Sequence, residues 1–168
     1  WPLLKSGNDH TDDLKHLADA LDLQSKALKA MGGNPGLAPI HAMKFYSMAQ
    51  SLDSFVRVGQ ELVDDFSGRN DYIGARDVIE TNLLPTITRL KLAGRIIPER
   101  SQYAVVLAYC GAFDSADAEM ARLAPYENAL DPKGQCELRN QRALITYLRE
   151  NPPPPQWVLP PKLVEPAL

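Results

Sequence analysis

The densest run of groups able to do chemistry is His10-Thr11-Asp12-Asp13-Leu14-Lys15-His16. On a helix, Asp12 and Asp13 stand four and three residues before His16, so a carboxylate and an imidazole share one face and could hold a metal ion. The same residues suit an ordinary helix start, with Thr11 as the cap, Asp12 and Asp13 at the positive end and His16 in solvent. His41 follows the Pro39 turn and reads as a local hydrogen-bonding residue. Cys110 and Cys136 are the only cysteines, and neither has a CxxC or metal-ligand spacing. Joined, they would close a loop of about 25 residues, contribute on the order of 3.5 kcal/mol and place the protein in an oxidising compartment. The alternative is a pair of free thiols, with Cys110 in the most apolar stretch of the chain. Paired with His41 as a nucleophile, Cys110 would lack the polar, electropositive niche that a thiolate needs. Glu61, Asp64 and Asp65 could do acid–base work, but two of them are sequence neighbours and read as a solvated face. There is no phosphate-binding glycine loop, nucleophile elbow or HExxH, and Gly32-Gly33-Asn34-Pro35-Gly36 follows no strand. The sequence therefore assigns no catalytic residue, no metal ligand and no cofactor.

Basic residues gather later: Arg89, Lys91, Arg95 and Arg100, then Arg139, Arg142 and Arg149, the last three on or near one helix face. Such a stripe can hold a partner's carboxylates through bidentate pairs. Residues 152–168 hold seven of the fourteen prolines, which predicts an extended polyproline-II tail. Trp157, Val158, Leu159, Leu163 and Val164 make that tail too apolar for a plain spacer. The candidate partner-binding residues are thus Arg89, Lys91, Arg95, Arg139, Arg142, Arg149, Trp157, Leu159 and Leu163.

Helical periodicity predicts the elements that would position these groups. Leu14, Leu17, Leu21, Leu28 and Met31 repeat at helical spacing, with Gln24 in the one polar slot and Gly32-Gly33 as the stop. A second helix follows Pro39 and carries Met48, Leu52, Phe55, Gly59, Leu62 and Phe66 on one stripe up to Ser67-Gly68. A third covers 71–83, and a fourth starts at Pro85 and runs to Ala93-Gly94. Residues 100–112 predict a buried central helix. Asp114 is the expected cap of a sixth helix running to about Leu123 and stopped by Pro125, and Asp131-Pro132 opens a last one reaching Glu150. Seven helices with short joints predict an all-α antiparallel bundle or array. The expected layout is an N-terminal stub over 1–9, one helical domain over 10–150 and the tail over 151–168.

Two joints are alike. Tyr72, Ala75 and Ile79 in one, and Phe113, Ala116 and Met120 in the other, give an aromatic, an alanine three residues on and a large apolar residue four beyond that. This resembles the turn and second helix of tetratricopeptide repeats over residues 54–83 and 100–124, and Ala104 matches the small position of that family's first helix. The copies stand 41 residues apart instead of about 34. Asn70 replaces the preferred glycine, and Arg100 stands where a large aromatic is expected. The resemblance implies a short helical array that binds peptides or partner proteins.

The chain has 168 residues, is 45% hydrophobic and 23% charged, and carries a formal net charge of -3. An acidic balance argues against a general nucleic-acid binder, and the apolar content argues against disorder. No apolar run reaches the roughly 20 residues of a membrane span. Trp1-Pro2-Leu3-Leu4 reads either as the stub of a removed signal or anchor or as an arbitrary boundary. The expected function is a non-enzymatic protein–protein interaction or scaffold module. It would be one component of a larger assembly, with another protein or peptide as partner, and oligomer formation is compatible with it. The expected place is outside the cytoplasm, periplasmic or secreted, or on an anchored protein whose anchor lies outside this chain. The alternatives are a small helical metal-binding protein or enzyme using His10, Asp12, Asp13 and His16, or an inhibitor or immunity-type protein.

Overall fold

The structure, a computed structural model, describes residues 10–154. In order, the elements are α1 (His10–Ala30), α2 (Ala38–Met48), α3 (Leu52–Gly68), α4 (Tyr72–Val78), a π-helical turn (Ile79–Leu83), α5 (Leu84–Arg89), α6 (Ala93–Tyr109), α7 (Phe113–Leu123), a 3-10 turn (Ala124–Ala129) and α8 (Pro132–Glu150). The described residues are all-α, with no strand. The chain forms two compact units, up to Asp64 and from Asp65, the division falling within α3. The expected N-terminal stub and most of the proline-rich tail, including Trp157, Leu159 and Leu163, lie outside the described residues.

Several boundaries differ from the sequence-based expectation. The helix expected from Pro39 to Gly68 is two helices, broken where Gln50 takes φ 55. The helices expected over 71–83 and from Pro85 are instead continuous. Pro85 has no N–H for the Thr81 carbonyl and its ring would press on it. The π turn widens the backbone there, with the Leu84 N–H reaching back to the Ile79 carbonyl. Gly94 ends nothing, since it lies in the first turn of α6. Nor do Thr11 and Asp114 cap: α1 already begins at His10, and Ala112 precedes α7 with no side-chain cap bond. Asp131 does cap, accepting the Gly134 N–H at 2.7 Å with Pro132 behind it.

Five joints share one device. Gly32, Gln50, Asn70, Lys91 and Gly111 each adopt positive φ just past a helix end. Each N–H bonds three residues back, and the next N–H bonds five back, as in Gly32 to Lys29 and Gly33 to Leu28. This double bond satisfies the last carbonyls of the helix. Only two of the five are glycine, so three side chains sit in a left-handed conformation that costs about 1–2 kcal/mol. Lys91→Gly is therefore expected to raise stability by about 0.5–1 kcal/mol, after the extra unfolded-state entropy of glycine is deducted. A urea midpoint shifted upward at unchanged slope would show it; a lower midpoint would refute it.

In the first unit α1 packs along α2. The buried positions of α1 are Ala18, Asp22 and Ser25, not the expected leucine stripe. Met43 and Tyr46 of α2, both essentially inaccessible, supply the bulk, so the facing positions of α1 stay small. Leu14, Leu21 and Leu28 are half-buried at the margin, while Leu17 and Met31 are exposed. In the second unit α6 is the hub, packing on α4, the π turn, α5, α7 and α8. Ala75, Ala104, Ala108 and Ala116 are fully buried there; a methyl side chain lets backbones approach closely. Tyr72 of α4 stacks on Tyr109 of α6 with ring centroids 4.0 Å apart, closing one end of the packing.

Candidate functional site

The second unit buries a set of charged groups that sequence reasoning missed. Glu80, in the π turn, receives the Arg76 Nε–H at 2.7 Å and the Tyr103 hydroxyl at 2.6 Å on one carboxylate oxygen. Arg76, Glu80 and Tyr103 are all buried. Glu119 of α7 receives Arg100 of α6 at 2.8 Å and Arg122 at 2.6 Å, one on each oxygen. Arg100 and Glu119 are buried as well, and the Nε of Arg100 has no hydrogen-bond partner among the described residues. Burial, then the bond to Glu80, pushes the Tyr103 hydroxyl well above its usual range, so it stays a donor. Each acid thus holds donors from two places in the fold. That arrangement pins α6 against the π turn and α7, and gives the packing a defined register. One signal lay in the sequence: Glu119 shares a helical face with Ala116, Met120 and Leu123, where a lone carboxylate needs a cation.

The first unit has a smaller, more open counterpart. Asp22 of α1 receives Arg57 of α3 at 2.7 Å and Lys26 at 3.1 Å, and Glu61 receives Arg57 at 2.8 Å. Desolvation opposes the Arg57 charge, but the two carboxylates outweigh it and raise its pKa. Tyr46 donates to Asp19 at 2.6 Å, and burial, with that bond, raises its pKa too. Glu61 is thereby tied into this cluster, whereas Asp64 is exposed.

The expected site residues fall in several places. His10, Asp12, Asp13 and His16 are exposed on the first turns of α1. Among the described residues, no group of three or more histidines, cysteines or acids is placed to hold a metal ion. The candidate disulfide is not formed: Cys110 is a buried free thiol and Cys136 an exposed one. Cys110 closes the end of α6 in the core, where burial pushes its thiol up to about 11 against the opposing charge of Arg76. Cys136 faces solvent on α8, its sulfur 3.8 Å from the Asn140 amide nitrogen. Arg89, Lys91 and Arg95 are exposed. Two arginines of the expected α8 stripe are engaged within their own unit. Arg142 bonds Glu127 at 2.6 Å; Arg149 bonds Asp117 and lies over the Phe113 ring. Arg139 is exposed and donates to the Gln135 carbonyl of its own helix.

Large apolar side chains left in solvent are concentrated in the first unit. Leu23 is 69% exposed, Met31 83%, Leu37 62% and Met48 54%, with Leu17 at 45%. Leu17 and Leu23 stand on α1, on the side turned away from Ala18, Asp22 and Ser25, and Met31 follows its last residue. Apolar side chains in solvent mark a contact site where they join into one patch, and singly they are ordinary. No described helix is long and apolar enough to cross a membrane. Comparison with protein-family models finds no match, and comparisons with curated proteins and with solved structures find none that is significant.

Proposed function

We propose that the protein is a non-enzymatic interaction module, a helical scaffold serving as one component of a larger assembly. The observation that carries this reading is the number of large apolar side chains that the first unit leaves in solvent: Leu17, Leu23, Met31, Leu37 and Met48. Each of these side chains stabilises the chain more when covered than when wet, by about 1.5–3 kcal/mol for complete burial. In the second unit, fully buried alanines at the helix contacts and the stacked Tyr72–Tyr109 pair fit the tetratricopeptide-like hairpin array that the sequence resembles. In this reading the array is a rigid support, its charged groups spent on register, and the contact surface lies on the first unit.

The test uses a photo-crosslinking amino acid at Leu23 or Met31, with Lys15 as the exposed polar control on the same helix. The chain is expressed in the cells that make it. Protein adducts are expected at Leu23 and Met31 in clear excess over Lys15. Equal, low yields at all three positions would overturn the reading.

A further inference from the structure

The proline-rich segment carries a three-residue pattern. Gln156, Lys162 and Glu165, the only polar side chains in residues 152–168, are separated by multiples of three. A polyproline-II helix has three residues per turn, so these three share one edge of it. The other two edges are apolar: Trp157, Pro160 and Leu163 fall on one, and Val158, Pro161 and Val164 on the other. A rod of this kind suits a surface that takes both apolar edges and leaves the polar edge in water. We infer that this segment, which lies outside the described residues beyond Pro154, docks on the outer face of α8 in its own chain. It runs back from the end of that helix toward its start. The inference concerns the second unit and is independent of the interface reading of the first.

The outermost stripe of α8 is Cys136, Asn140, Ala143 and Tyr147, at helical spacing on the side away from Leu138, Ile145 and Leu148. All four are exposed, and none is charged. Tyr147, at 60%, is the most exposed large apolar side chain described in the second unit. On one flank Lys133 and Glu137 pair with each other at 3.7 Å, and on the other stand Arg139 and Glu150, both exposed. Covering the stripe therefore buries no charge on either partner. The chain also leaves α8 along the protein, since Pro153, three residues past the helix end, is half-buried. Lengths agree as well. Counted back from Glu150, Ala143 lies about 10 Å and Cys136 about 21 Å along the helix. Counted on from Pro153, Trp157 falls at about 12 Å and Pro160 at about 22 Å. The large indole thus comes over Ala143, the smallest side chain of the stripe, and Pro160 over Cys136. The segment is tethered a few residues from this seat, which favours the chain's own tail over that of a second copy.

The test uses the full chain. Under mild oxidation by air, Pro160→Cys is expected to join its new thiol to Cys136 within one chain. The product is a monomer on non-reducing electrophoresis that has lost two free thiols. Lys162→Cys, on the outward edge, is expected to crosslink about tenfold more slowly. With Trp1→Phe, Trp157 is the sole indole, and its emission is expected to lie to the blue of indole in water. Ala143→Glu, at an exposed position where glutamate is a good helix former, is expected to move that emission to the red with helical content unchanged. Trp157→Asp, which touches none of the described helices, is expected to raise the reactivity of Cys136 toward a thiol reagent about fivefold. No crosslink, a crosslink between two chains, or one formed as fast at Lys162→Cys overturns the inference. Red emission before any change at Ala143 overturns it, and so does blue emission that Ala143→Glu leaves untouched, which would put the tail on another surface. Unchanged Cys136 reactivity in Trp157→Asp overturns it too.

Discussion

Replacing Glu119 with alanine is expected to destabilise the second unit by about 3–5 kcal/mol, the range for breaking a buried ion pair from one side. The carboxylate is the acid that meets Arg100 across the α6–α7 contact, at 2.8 Å, and it also holds Arg122. Arg100 is only 5% exposed and its Nε already lacks a hydrogen-bond partner among the described residues. Without Glu119 its charge would face a core it cannot leave. The double variant Arg100→Met/Glu119→Leu removes both charges at similar volume and is expected to recover most of the loss. Urea unfolding followed by far-ultraviolet circular dichroism measures both. A loss below about 1 kcal/mol for Glu119→Ala would place the pair in solvent instead.

Glu80→Ala should cost a comparable amount, about 3–5 kcal/mol, because one carboxylate receives both Arg76 and Tyr103. Two milder variants rank the parts. Glu80→Gln keeps an acceptor for the hydroxyl but discards the charge, for about 1.5–3 kcal/mol. Tyr103→Phe removes one donor while Arg76 still answers the acid, for about 1–2 kcal/mol. The order Glu80→Ala, Glu80→Gln, Tyr103→Phe is the prediction. Should Tyr103→Phe prove the worst, the hydroxyl rather than the carboxylate would hold the contact together.

What the sequence made legible follows the physics of each signal. All-α architecture was legible because apolar spacing recurs through every segment. The Asp131-Pro132 start and the Gly32 stop were legible because the residue types themselves favour those conformations, whereas Gly111 fell inside the helix expected over 100–112. The break at Gln50 and the stop at Lys91 were not, since the same hydrogen-bonded joint is closed there by residues with no left-handed preference. The continuity from Tyr72 to Arg89 was hidden by Pro85, which normally starts a helix and here is accommodated inside one. In α1 the leucine stripe misled: bulky α2 side chains claim the interior, and the small and polar residues of α1 face it. Leu17, Met31 and Met48 were therefore read as members of apolar helical stripes, and Leu23 and Leu37 carried no signal in the sequence. The buried ion pairs needed the third dimension, because Arg100 and Glu119 lie on different helices and meet only when α6 packs on α7.

The π turn at Ile79–Leu83 can also be described as one residue more than an α-helix would use. In-frame loss of a single codon there would let the backbone return to four-residue bonding and rotate everything beyond it by about 100° about the helix axis. Leu84 and Ile87, now fully buried, would swing toward solvent, and Pro85 would again press on the preceding turn. The surplus residue thus acts as a phase setter: it allows one continuous rod to present two differently oriented faces to the same neighbour, α6. Substitutions in this stretch can be absorbed one side chain at a time, whereas a change in its length reindexes the whole of α5.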